Sequence, residues 1–332
     1  MPTTLITGAT GFVGSHAADR ALALGHRVRT LARANSDQSY LKEIGAEVIA
    51  GDMTDPVAAG TACAGVDYVL HCAAKVGDWG PVEEYRRVNV EGLRHLLEAV
   101  KGTPLKRFVL VSSLGVYAAR HHHGTDESEP LPQFHIDGYT QSKVEAETLA
   151  LEYVRKYQVP VTIVRPGFIY GPRDRTVLPR IASRLKDGSV IYIARGQNAL
   201  NTTYVGNLVD AIFLALEKPQ AVGEIFNVTD GEFVSKRRFF ESIADGLGLP
   251  RPRRSVPLRL AKFLANWRER VYRRQNRPHP PRVTQAQVKL AGLNLDFSIA
   301  KARTTLGYEP HVGFAEGMAA AIEWAKANPP KG

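Results

Sequence analysis

The run Gly8-Ala9-Thr10-Gly11-Phe12-Val13-Gly14 constrains this chain more than any other segment. It follows a strand-like stretch, Thr3–Thr7, and opens an amphipathic helix pattern, Val13–Leu24. A tight strand-to-helix turn needs a backbone that tolerates positive φ, which glycine supplies without steric cost. The helix that follows presents free N–H groups and the positive end of its dipole, a natural seat for a phosphate group. Close approach of a pyrophosphate then requires positions without side chains. A glycine triplet by itself is weak evidence. Between an N-terminal strand and an amphipathic helix it is strong.

The rest of the first half agrees with such a start. Strand-length apolar runs recur at Arg27–Leu31, Glu47–Ala50, Tyr68–His71, Arg107–Val111 and Val161–Arg165, separated by helical patterns that include Val82–Val100 and Tyr139–Tyr157. This alternation predicts an α/β fold, a Rossmann-type doubly wound parallel sheet with helices on both faces. Proline and glycine punctuate the second half at Pro166-Gly167, Gly171-Pro172, Pro250 to Pro257 and Pro278 to Pro281. The expected division is a dinucleotide-binding domain over 1–165, with segments near 204–228 returning to the sheet. A smaller substrate-binding lobe then occupies 166–332.

Composition narrows the function classes. Hydrophobic residues make up 44% of 332, enough for a core. The two cysteines, Cys63 and Cys72, fit no zinc or redox spacing and read as reduced core thiols. No apolar run reaches membrane-spanning length, and the first strand begins too early for a removable leader, so a cytoplasmic protein is expected. Eleven of the 43 Lys and Arg residues, and one of the 33 Asp and Glu residues, lie between Arg251 and Val283. The remainder of the chain is electrically balanced. The net charge of +10 therefore belongs to one segment, which argues against a nucleic-acid-binding scaffold.

Tyr139-Thr140-Gln141-Ser142-Lys143 places a phenol and an ammonium four residues apart, on one helix face. A free tyrosine has a pKa of about 10, too high for easy proton exchange at neutral pH. Bringing it near neutrality requires roughly 4 kcal/mol in favour of the phenolate. A cation about 4 Å away at an effective dielectric of about 20 supplies that much. Lys143 is thus expected to depress the Tyr139 pKa.

Together these features resemble the extended branch of the short-chain dehydrogenase/reductase superfamily, the NAD-dependent epimerase/dehydratase group. The glycine spacing is GxxGxxG, and the YxxxK motif follows the fifth strand. Asp52-Met53, His71-Cys72-Ala73-Ala74, Asn89, Ser112-Ser113, Arg165-Pro166-Gly167 and Tyr204-Val205 with Asn207 and Asp210 occur in the family's order. The resemblance implies an oxidoreductase in which Tyr139 transfers the proton, Lys143 supports it and holds the nicotinamide ribose, and Ser113 orients the substrate oxygen. It implies cofactor contacts from Gly8, Thr10, Gly11, Phe12, Val13, Gly14, Asp52, Met53, Cys72, Ala73, Ala74, Asn89, Ser112, Tyr139, Lys143, Pro166 and Gly167. A homodimer is also implied.

The second strand ends Leu31-Ala32-Arg33, with no acid to bond ribose hydroxyls. An arginine there suits a 2′-phosphate, so NADP(H) is favoured over NAD(H). Gly77-Asp78-Trp79-Gly80 is similar to 3β-hydroxysteroid dehydrogenases and to reductases of long-chain β-keto acids. Leu200 stands where nucleotide-sugar enzymes carry a diphosphate-gripping arginine. A hydrophobic hydroxy/keto substrate is therefore expected, with Asp78, Trp79 and Leu200 beside it. A nucleotide-sugar epimerase or dehydratase is the alternative enzyme, and a non-catalytic NADP-binding scaffold the alternative of another class. Asp78 and Trp79 form either a pocket wall or a simple packed turn. His121-His122-His123, with Asp126, Glu127 and Glu129, reads as a solvated mobile loop, and no metal site is expected. In the basic segment Leu260, Leu264, Trp267 and Val271 share a helical stripe among arginines. That pattern fits a lid whose stripe faces the second lobe, a helix for an anionic membrane surface, or a contact with an acidic carrier.

Overall fold

The computed structural model describes residues 1–329. Seven parallel strands form the central sheet: β1 Thr3–Thr7, β2 Arg27–Ala32, β3 Glu47–Ala50, β4 Tyr68–His71, β5 Arg107–Val111, β6 Val161–Pro166 and β7 Ile225–Val228. Their order is β7-β6-β5-β4-β1-β2-β3. The strand order reverses at β1, so the chain winds outward in both directions from the strand that carries the glycine turn. Such a switch point opens a crevice at the carboxyl ends of the strands. The predicted strands agree with the observed ones to within a residue. The expected return near 204–228 divides in two: Ile225–Val228 joins the sheet, whereas Val205–Glu217 is a helix packed against its face.

Two hydrophobic layers cover the sheet. On one face the helices Phe12–Ala23 and Val205–Glu217 bury Ala17, Ala18, Ala21, Leu208 and Ile212 against Ile6 and Val109. On the other, Pro56–Cys63, Gly92–Val100 and Gly138–Tyr157 bury Ala59, Leu93, Leu97 and Ala150 against Val69 and Phe108. A separate cluster outside the sheet gathers Tyr170, Leu178, Phe239, Phe314 and Met318.

The helix Gly138–Tyr157 begins where its sequence says it should. The Asp137 carboxylate accepts from the Thr140 amide (2.7 Å) and hydroxyl (3.0 Å), satisfying amides that lack an intrahelical partner. It ends at Gln158 in the left-handed conformation (φ 57°). The cap fixes the phase of the helix, and with it the direction in which Tyr139 and Lys143 point.

The triple histidine is solvated only at its ends: His121 and His123 are exposed, and His122 is buried. His122 lies in a short strand, His122–Thr125, paired with Leu295–Phe297. Its ring is fully buried and bonded to the Thr125 hydroxyl and the Ala118 carbonyl. Glu127 is tied down as well, accepting from the Asn227 amide at 2.7 Å. The reason is tertiary: a strand far downstream, Leu295–Phe297, covers this segment, a contact that local polarity does not encode.

Candidate active site

The glycine turn is built to the tolerance its chemistry needs. Gly8 has φ 74°, and a side chain there would meet the Ala73 backbone at 2.9 Å. A Cβ on Gly14 would lie 2.2 Å from the Gly8 carbonyl oxygen, so turn and helix could not meet. The helix Phe12–Ala23 has no side-chain cap and no acid in its first turn, leaving its leading amides free. These are the features of a pyrophosphate cradle.

Beside the cradle runs a crevice of about 520 Å³. Of the expected residues, Gly8, Thr10, Gly11, Arg33, Asp52, Met53, Cys72, Ala73 and Ala74 line it. Phe12, Val13 and Gly14 form the helix turn behind it. Sequence reasoning missed Thr7, Ser36, Thr54, Lys75 and Arg87, which line it too. Thr7 carried a signal, being the last residue of the strand before the turn. Its hydroxyl bonds His71 Nδ1 (2.7 Å) and accepts from the Ala73 amide (3.2 Å), tying β1 to the loop after β4. Burial pushes the His71 imidazole down to about 3, so this tie is neutral at physiological pH. Lys75, Arg87 and Arg33 put three cations around the crevice, a charge balance suited to a polyanionic dinucleotide.

Asn89 lies outside the crevice lining and acts as a clamp. It is buried in a single π-helical turn, Arg87–Glu91. Its side-chain oxygen accepts from the Lys75 amide (2.7 Å), and its amide donates to the Lys75 carbonyl (3.0 Å) and to the Ser142 hydroxyl (2.8 Å). It thereby locks the crevice loop to the helix of Tyr139. Ser112, at the end of β5, is buried with its hydroxyl unpartnered. An orphaned buried donor of this kind fits a ligand group not present in the protein itself. Pro166 pairs with Val228 at the end of β6, and Gly167 lets the strand Thr202–Tyr204 approach: a Cβ there would sit 2.0 Å from the Asn201 carbonyl oxygen.

Tyr139, Lys143 and Ser113 come together. Lys143 Nζ lies 6.0 Å from the Tyr139 ring centre and donates to the Val111 carbonyl at 2.8 Å. The Ser113 hydroxyl accepts from the Gly115 amide (3.0 Å) and acts on the phenol, drawing its pKa down. The expected depression of the Tyr139 pKa is not what the structure has. Burial pushes the phenol up to about 12, Asp137 adds to this, and Ser113 opposes it. Lys143 cannot overcome these effects because its ammonium is anchored on the Val111 carbonyl rather than on the phenol. Burial brings Lys143 itself down to about 8, with Glu147 holding its charge against that.

Asp78 and Trp79 face the basic segment. Asp78 accepts from the Thr284 hydroxyl (2.6 Å) and the Gln287 side-chain amide (2.9 Å), at the start of the helix Gln285–Gly292. Trp79 donates to the Arg277 carbonyl (3.1 Å), with the Arg273 guanidinium 5.5 Å from its ring. From the same helix, Lys289 reaches the Gly115 and Tyr117 carbonyls (2.6 and 2.7 Å), beside Ser113. Leu200 was expected at the substrate. It is instead 4% exposed in the core of the outer cluster, its amide bonded to Val234. An apolar side chain in that register has no reason to leave the core. Among the described residues, no group of His, Cys, Asp and Glu could hold a metal ion.

Comparison with known proteins agrees with this geometry. Residues 4–229 match the NAD dependent epimerase/dehydratase family. A 2-alkyl-3-oxoalkanoate reductase of Shewanella oneidensis is 29% identical, over 94% of this chain and 84% of its own. A 3-beta-hydroxysteroid dehydrogenase of Mycolicibacterium neoaurum is 31% identical, over 96% of this chain and 90% of its own. The crystal structure of gox2253 superposes with a TM-score of 0.83 at 29% identity, covering 100% of both chains.

Proposed function

Because the chain belongs to the NAD dependent epimerase/dehydratase family, we propose that it is an NAD(P)-dependent oxidoreductase interconverting a ketone and a secondary alcohol on a hydrophobic substrate. The observation that carries this reading is the meeting of Tyr139, Ser113 and Lys143 beside a crevice shaped for a dinucleotide. The bound cofactor supplies or accepts a hydride at its nicotinamide ring. The protein positions the reactants and handles the proton. Tyr139, with its pKa pushed up to about 12, keeps its proton at neutral pH and can donate it to the substrate oxygen. Ser113, held by the Gly115 amide, orients that oxygen. The Lys143 charge steadies the phenolate left behind and offers the ribose hydroxyls a donor.

The substrate class rests on the 2-alkyl-3-oxoalkanoate reductase and the 3-beta-hydroxysteroid dehydrogenase as relatives. Two large apolar side chains near site residues in sequence, Val76 next to Lys75 and Phe134 ahead of Tyr139, are 70% and 86% exposed. They suit a greasy ligand better than a sugar diphosphate. The substrate lobe is drawn mainly from 166–332, and a homodimer is part of the same reading. The test is stoichiometric oxidation of NADPH on adding such a ketone.

NADP(H) is the proposed cofactor. Arg33 lines the crevice at the end of β2, is exposed, and has no ion-pair partner among the described residues. Ser36, bonded back to the Arg33 carbonyl at 2.6 Å, adds a hydroxyl to the same corner. Arg33→Ala should weaken NADP(H) about ten-fold or more and leave NAD(H) nearly unchanged, since a charge-assisted pair contributes roughly 1.5–3 kcal/mol. Titration of both cofactors by fluorescence reads this directly. Equal affinities in the unmodified protein would remove Arg33 from the phosphate role.

A further inference from the structure

We propose that the helix Leu258–Arg274 seats the protein reversibly on an anionic lipid surface. The buried positions of the helix are Ala261, Ala265 and Glu269, packed against the helix Gln285–Gly292 and Ile193. The large apolar residues point outward: Leu260, Phe263, Leu264 and Trp267 are 46%, 67%, 36% and 56% exposed. Their spacing of three and four residues makes them one continuous stripe. A lid would hold this stripe against the lobe. Here small residues make that contact and the bulky ones are left to the outside.

Charge identifies what covers the stripe. Arg259, Lys262, Arg270 and Arg274 are exposed on the same helix, with Arg253 and Arg254 just before it. Among the described residues, the only ion pairs of the segment 251–283 join Arg251 to Glu241 and Asp245, and Arg273 to Glu269. The segment's single acid, Glu269, is turned inward, accepting from the Gln285 amide and side chain (2.6 and 3.0 Å). The outer face is therefore apolar and cationic, with no acid on it. A second copy of this chain would bring the same arginines face to face, which repels. A lipid surface with anionic headgroups complements both the charge and the stripe. This placement is independent of the identity of the substrate. No helix among the described residues is long and apolar enough to cross a membrane.

The test is cosedimentation of the full-length protein with vesicles of phosphatidylcholine alone, or of phosphatidylcholine mixed with phosphatidylglycerol, at low and high salt. Binding is expected to the mixed vesicles only, and to fall as salt screens the arginines. Arg259→Gln and Arg270→Gln should each lower the partition about five-fold. The double variant Phe263→Ser/Trp267→Ser should lower it at least about ten-fold, with NADPH binding retained as the check that the fold survives. No binding to mixed vesicles at low salt overturns the proposal. So does equal binding to neutral vesicles, or binding that the double variant leaves untouched. A salt-resistant dimer abolished by the double variant would assign the stripe to a second copy instead, and equally overturns it.

Discussion

Tyr139→Phe is expected to lower turnover about a hundred- to ten-thousand-fold, the usual loss when a general acid is removed. NADPH affinity should be largely unchanged. The substitution deletes one oxygen and no packing volume. The Ser113 turn keeps its anchor, because the Ser113 hydroxyl is also held by the Gly115 amide. The crevice is lined by other residues, and Lys143 remains fixed on the Val111 carbonyl. The loss should therefore appear in kcat and not in cofactor affinity, a separation that a general collapse of the site would not produce. A variant with near-normal kcat would take the proton-transfer role away from Tyr139.

Glu147→Ala should be the most destabilising single change near the site. Glu147 and Arg165 form an ion pair with both side chains 3% exposed. The contacts are bidentate, Nε to Oε1 at 2.9 Å and Nη2 to Oε2 at 2.6 Å. Arg165 also donates to the Tyr117 hydroxyl at 2.8 Å. Removing the carboxylate leaves a guanidinium desolvated and uncompensated, at a cost of about 3–5 kcal/mol. That is a large share of the roughly 5–15 kcal/mol by which a domain is stable. Urea unfolding should show a lower midpoint at unchanged m. Glu147→Gln, which keeps the volume and an acceptor oxygen, should cost less. Activity should fall in both variants, because Glu147, one turn beyond Lys143, helps that lysine keep its charge. A midpoint change in Glu147→Ala corresponding to less than about 1 kcal/mol would show the pair to be dispensable.

What the sequence makes legible here is whatever depends on local periodicity or on a motif with a mechanical purpose. The strands of the sheet, the glycine turn and the Tyr139–Lys143 spacing are of this kind. The features it hides depend on partners far along the chain. His122 is a buried strand residue only because Leu295–Phe297 covers it. Lys289 supports the Ser113 turn from 174 residues away. Asn89, expected as a cofactor contact, also clamps together two segments that a ligand would touch. Leu200 was read for the arginine it replaces, and its own side chain belongs to a core. The basic helix shows the same limit. Its apolar stripe is visible in the sequence, whereas its direction depends on Ala261 and Ala265 meeting a neighbouring helix.

The site is expected to carry out net, cofactor-stoichiometric reduction of a hydrophobic ketone. The most direct measurement uses NADPH deuterated on the nicotinamide carbon, with purified protein and a panel of 2-alkyl-3-oxo acids, 3-keto steroids and nucleotide sugars. The predicted result is one equivalent of NADP formed per alcohol, with the deuterium on the new carbinol carbon, from a ketone of the first two classes. Conversion of a nucleotide sugar with no net change in cofactor, and no reduction of either hydrophobic class, would contradict it.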